Sequence, residues 1–174
     1  FVYGVLKANG SENDSIIFAN YNEDTNNRWS GFTLENQTSE TVFEYVRISG
    51  AKKHLGAGMY LLSSDPTLSN MTISNNIAAQ PSTAPRGGGM HLSGSSPSMD
   101  NVTITNNSDG NYNQSGIYSE TGAEVNISNS IIYDNDDGDV QITIEEGATP
   151  TLNISYSNIE NDTLGVTQSV GTLN

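Results

Sequence analysis

The sequence predicts an all-β solenoid of about six rungs with two to three short strands per rung, and three observations carry that expectation. One run of residues recurs. Gly58-Met59-Tyr60-Leu61 leading to Asn70-Met71-Thr72-Ile73-Ser74-Asn75-Asn76 returns as Gly89-Met90-His91-Leu92 leading to Asn101-Val102-Thr103-Ile104-Thr105-Asn106-Asn107. It returns again as Gly116-Ile117-Tyr118 leading to Asn129-Ser130-Ile131-Ile132-Tyr133-Asp134-Asn135. The matching asparagines stand 31 and then 28 residues apart, the spacing of stacked supersecondary units. Finally, apolar residues alternate with polar ones inside each repeat, a pattern that a solvated acidic tail has no reason to keep.

The composition suits such a coil and excludes several partners. Of 174 residues 34% are hydrophobic, lean for a globule with one large core. Seventeen glycines and 22 asparagines supply the left-handed backbone that frequent corners demand. With six Lys and Arg against a net charge of −14, the chain is unsuited to nucleic acid or to anionic membrane surfaces. Hard cations are its natural counter-partners. Cysteine is absent, so disulfides and thiolate metal sites are excluded. No apolar run approaches the ~20 residues of a transmembrane segment. The chain opens at Phe1 inside an apparent repeat, so residues 1–174 are expected to form a single domain of a longer protein with flanking domains.

The rungs follow in order. A partial one spans Val5 to Phe18, and the next begins at Gly31-Phe32-Thr33-Leu34. Gly58, Gly89 and Gly116 start the following three, and Asp139-Val140-Gln141-Ile142 is expected to start the last. A second strand follows in each: Phe43 to Ile48, Leu68 to Ile73, Met99 to Ile104, Ile127 to Ile132 and Ile154 to Ile159. Alternation points Phe32, Met59, Met90, Ile117 and Val140 inward, with Leu34, Leu61, Leu92 and Ile142. Thr33, Tyr60, His91, Tyr118 and Gln141 then point outward.

Between Leu68 and Met71 the alternation slips by one, at Asn70, matched by Asn101 and Asn129. A bend in the left-handed region with amide-to-amide bonds up the coil explains this column. Asn76, Asn107 and Asn135 form a second column at the strand exit, read likewise as architecture. N-x-S/T triplets such as Asn101-Val102-Thr103 arise where Asn-rich turns meet Thr-rich strands. Arg28-Trp29 holds the one Trp, expected to cover a rung or cap the apolar interior.

Gly87-Gly88-Gly89-Met90-His91-Leu92 with Ser96-Pro97-Ser98-Met99-Asp100-Asn101-Val102-Thr103-Ile104, the matching Asp65-Pro66-Thr67-Leu68, and Ser155-Tyr156-Ser157-Asn158-Ile159-Glu160 make the chain resemble a known family. It is similar to the right-handed parallel β-helix repeat proteins of the pectate-lyase-like superfamily, found in secreted bacterial surface proteins and polysaccharide-processing enzymes. The resemblance implies a right-handed parallel β-helix, and a secreted or cell-surface location. It does not imply one activity, because lyases, hydrolases, epimerases, adhesins and spacers share the architecture.

Candidate sites lie on the loop edge and the outward column. Tyr60, His91 and Tyr118 in consecutive rungs would form a ladder of rings able to lay flat faces against sugar units, or merely to pack on one another. Lys52, Lys53 and Arg86 sit in the loops that feed this ladder and would grip a carboxylated glycan. In the run Asp134-Asn135-Asp136-Asp137-Gly138-Asp139, the carboxylates of Asp134, Asp136, Asp137 and Asp139 are candidate ligands for Ca²⁺. Superfamily enzymes that cleave uronic-acid polymers typically use a Lys or Arg base on the outer strand face, with Ca²⁺ bound to several Asp. Here the basic residues cluster in loops and only Arg47 lies beside an acid, Glu44. The outward neighbours expected one step further along the first strands are Glu35, Leu62, Ser93, Glu120 and Thr143. They offer no acid pair on adjacent rungs.

Three functional readings follow. The preferred one is a non-catalytic β-helix acting as rigid spacer or adhesive with polysaccharide contact. The others are a Ca²⁺-dependent polysaccharide lyase acting on acidic glycans, and an end-to-end self-associating fibre or surface-layer unit.

Overall fold

The computed structural model describes residues 4–21, 28–79, 84–110, 114–135, 141–145 and 151–160, together with the backbone of strands Val166–Gln168 and Thr172–Leu173. Its strands stack into parallel ladders, as the repeat requires. A six-stranded sheet is built, in spatial order, from Phe32–Glu35, Met59–Leu62, Met90–Ser93, Ile117–Glu120, Ile142–Ile144 and Val166–Gln168. An eleven-stranded sheet carries the second strands, its longest members being Thr67–Ser74 and Ser98–Thr105. A third, two-stranded ladder pairs Lys52–Lys53 with Ile77–Ala78. Lys52 and Lys53, expected in a loop, are therefore strand residues.

Register is that of a coil whose turns repeat letter over letter. Met90 pairs with Met59 and with Ile117, while His91 pairs with Tyr60 and with Tyr118. Thr103 pairs with Thr72 and with Ile131. The chain is an all-β parallel solenoid of about four turns, fewer than the six expected. The shortfall arises partly because the strands ahead of Phe32, Lys7–Asn9 and Ile16–Phe18, join the longer sheet alone.

Inside the coil, Leu34, Leu61, Leu92, Met59, Met90 and Ile117 face Phe43, Leu68, Met99, Ile73 and Ile104 in one continuous buried cluster. Each fully buried aliphatic side chain contributes about 1.5–3 kcal/mol relative to exposure. Trp29 and Phe32 lie edge to face at 5.7 Å, and Phe18 and Phe43 pack on Phe32 in the same way at 4.9 and 5.1 Å. This aromatic cluster covers the apolar interior beside the first rung, as the sequence suggests for Trp29.

The corners obey the asparagine logic. Asn70, Asn101 and Asn129 have φ of 52°, 53° and 51°, and Tyr45 and Tyr156 take the same conformation at the ends of that column. Asn101 donates an amide bond of 2.7 Å to Asn70, whereas Asn129 donates instead to the Asp100 carboxylate. The second column is a buried ladder. Asn76 donates to Asn107 at 3.0 Å and Asn107 to Asn135 at 2.8 Å. The left-handed residues at that corner are their predecessors Asn75, Asn106 and Asp134.

The last register departs from expectation by two residues. Ile117 pairs with Ile142 and Tyr118 with Thr143, so Ile142 takes the place assigned to Val140, which lies outside the described residues. Gln141 is not an outward strand residue. Its carbonyl accepts from the Ile117 amide as that of Gly116 does from Met90, and its side chain accepts from the Asn135 amide at 2.8 Å. Gln141 thus occupies a glycine position and ends the asparagine ladder. A Cβ at Gly89 would instead lie 2.9 Å from Ile104 Cγ2 and 3.1 Å from Asn107 Nδ2.

Candidate functional site

The outward face of the six-stranded sheet carries three rings, Tyr60, His91 and Tyr118, together with several ionisable groups. Period-two alternation turns Thr33, Tyr60, His91 and Tyr118 out of the core, and the stacking brings them into one column. Tyr60 and His91 have centroids 5.0 Å apart at 68°, and His91 and Tyr118 repeat that geometry. The ladder is real, but it is no flat platform. Its rings meet edge to face, and His91 and Tyr118 are each only 1% exposed. Tyr60 alone is partly accessible.

The loop edge covers the buried rings. Arg86 pairs backbone to backbone with Leu55 and swings its guanidinium to 4.8 Å from the centre of the Tyr118 ring. From there Nη1 reaches Glu120 Oε2 and Glu145 Oε2, each at 3.1 Å. Glu145 stands one coil beyond Glu120, because its amide donates to Ser119 just after the Ile142–Ile144 strand. The Tyr118 hydroxyl donates to Glu145, and the two glutamates meet at one nitrogen of Arg86.

His91 completes the cluster. Its Nε2 is 3.0 Å from Glu120 Oε1, while Nδ1 is buried without a partner. A neutral ring that donates from Nε2 fits both observations. Burial holds the imidazole below its ordinary pKa. Burial also acts to raise the pKa of Glu120, but the hydrogen bond from His91, aided by contacts with Glu145 and Arg86, outweighs it and keeps the carboxyl below the usual range. Burial, reinforced by the bond to Glu145, raises the Tyr118 phenol.

Both carboxylates are therefore committed to protein donors. A pair this close leaves no room for the water that an inverting glycosidase holds between acids ~6.5–9.5 Å apart. The cluster works as a clamp, fastening the Arg86 loop across two coils. Sequence reasoning found Arg86, His91, Tyr118 and Glu120 but not Glu145. A two-residue slip preserves alternation, so Val140, Ile142 and Ile144 fit the core equally well; the Gln at a glycine position was the available signal.

At the other end of the column the surface opens. A groove of about 650 Å³ is lined by Ser30, Thr33, Glu35, Lys53, Tyr60 and Leu62, with His54 and Leu55 at its side. Lys53 Nζ donates to the Thr33 hydroxyl and lies 5.1 Å from the Tyr60 ring centre. Burial lowers the pKa of Lys53 and, as the largest of several effects, raises that of Tyr60. Its neighbour Lys52 is exposed.

Of the acidic run, Asp134 is exposed at a corner, with its amide bonded to Glu160 at 2.7 Å. Asp136, Asp137 and Asp139 lie outside the described residues. Among the described residues no three His, Asp or Glu side chains are grouped to hold a metal ion. No helix among them is long and apolar enough to cross a membrane.

A family model described as "Right handed beta helix region" matches residues 4–172. No curated protein and no solved structure gives a match.

Proposed function

The chain belongs to the right-handed β-helix family, and from that premise we propose that it is a non-catalytic scaffold that holds polysaccharide along one face. One observation carries the reading. In the groove a partly exposed tyrosine ring and Leu62 lie among hydroxyl, carboxylate and ammonium groups. Sugars ask for that mixture, since their C–H faces need apolar cover and their hydroxyls need partners. The buried His91 serves this reading by packing edge to face against the Tyr60 ring, and Tyr118 with the Arg86 clamp holds His91 in turn from the other end of the column. Contact is shallow and spans the two neighbouring coils that line the groove, so affinity comes from a few weak subsites along a polymer. A polymer-binding face of this kind belongs on a secreted or surface-displayed protein.

Titration calorimetry against a panel of soluble polysaccharides tests the proposal. The parent protein binds at least one polymer, Tyr60→Ala weakens that binding by about tenfold, and Thr103→Ala on the opposite sheet leaves it unchanged. A parent that binds no polymer, or a Tyr60→Ala variant that binds as well as the parent, removes the reading.

A further inference from the structure

The chain has three lysines, and the fold treats one of them differently. Lys7 and Lys52 are exposed, while Lys53 is half-buried in the wall of the groove. Its Nζ bonds to the Thr33 hydroxyl and faces the Tyr60 ring at 5.1 Å. Among the described residues no carboxylate comes within ion-pair distance of it.

We infer that Lys53 is the reactive amine of this chain and condenses with small aldehydes that enter the groove, the open-chain form of an aldose being the class that fits. Three features of the site support this. Burial with no counter-ion among the described residues disfavours the ammonium, so more of the nucleophilic amine is present near neutrality than at an exposed lysine. Thr33 suits both states, because its hydroxyl accepts from the ammonium and donates to the amine. The groove then gives an incoming polyol chain the hydroxyl of Ser30 and the carboxylate of Glu35 as partners, beside the tyrosine ring.

The chemistry closes without a further reagent. Nζ releases one proton to water, and its lone pair forms a bond to the carbonyl carbon. A proton passes from nitrogen to the former carbonyl oxygen, giving a carbinolamine. With the first proton taken back, the hydroxyl leaves as water and a protonated imine remains.

This inference shares the groove with the polysaccharide reading but does not rest on it, since a two-carbon aldehyde needs no polymer contact. The folded protein is incubated briefly near pH 7 with glycolaldehyde and cyanoborohydride, which fixes the imine as a secondary amine, and peptides are mapped by mass spectrometry. Lys53 carries on the order of tenfold more label than Lys52 or Lys7, and concentrated urea abolishes the preference. Lys52→Arg leaves labelling of Lys53 unchanged. Equal labelling of the three lysines in the folded protein, or faster labelling of Lys52, overturns the inference. With D-ribose in place of glycolaldehyde the same preference appears; a groove that admits glycolaldehyde but not ribose overturns the aldose assignment.

Discussion

Glu120 and Glu145 stand one coil apart and share a single nitrogen of Arg86, 3.1 Å from each carboxylate. The arrangement leaves Arg86 as the cation that lets two acids sit side by side. Their side chains are 23% and 38% exposed, so solvent screens part of the repulsion. Replacing Arg86 with Met therefore costs about 1–2 kcal/mol at pH 7. The loss appears as a lower urea midpoint with an unchanged slope. An unchanged midpoint at low salt would show that the guanidinium does not serve the pair.

The two asparagine columns differ in energetic weight. Asn107 is fully buried and accepts from both the backbone amide and the side chain of Asn76, at 3.1 and 3.0 Å. Its own amide donates to Asn135 and to the Ile73 carbonyl. Asn107→Ala strands several buried donors and acceptors and costs about 3 kcal/mol or more. Asn101 is exposed and its task is chiefly a left-handed backbone, so Asn101→Ala costs about 1 kcal/mol and Asn101→Gly less. Thermal or urea melts of the three variants check the order, and equal losses at Asn101 and Asn107 would contradict it.

Acid loosens the site in two stages of the same sign. Burial puts the folded-state pKa of His91 below the unfolded value near 6.5, so the unfolded chain binds the extra proton first. His91 therefore contributes stability that is fully present above that value and is lost as pH falls toward its folded pKa. Glu120 is held below 4.5, and its contribution is likewise present above that value and lost as pH falls further. The charged and titratable groups around the pair are Arg86, Glu145, Tyr118 and Tyr60, and none reverses the sign. Urea midpoints measured from pH 8 to pH 4 fall with acid, and His91→Gln removes the part of the slope that begins below about pH 6.5. A parent midpoint that is flat or rising across that range would contradict this account.

Sequence reading reached the coil, the inward columns and both asparagine columns because each rests on a period that local chemistry enforces: alternation for the core, left-handed backbone for Asn70, Asn101 and Asn129. It placed Tyr60, His91 and Tyr118 in one column for the same reason. It did not reach their burial, because His91 is enclosed by its neighbouring rings and Glu120, and Tyr118 lies under a loop arginine whose partners are 34 and 59 residues further along the chain. Nor did it reach Glu145. Alternation fixes which face a residue takes but is blind to a shift of two, and only the Gln141 side chain, bonded into the asparagine ladder, selects the register.

Stacking in register is the claim from which the column, the clamp and the groove all follow. The natural absence of cysteine permits a direct measurement in solution. Thr72 and Thr103 are register partners on adjacent coils, whereas Thr105 lies two residues beyond. Adjacent strands sit ~4.8 Å apart, inside the Cα range of a disulfide, and a two-residue offset exceeds it. Under mild oxidation the Thr72→Cys/Thr103→Cys variant forms an intramolecular disulfide and the Thr72→Cys/Thr105→Cys variant does not. Failure of the first pair to link, or equal linking of both, would contradict the coil.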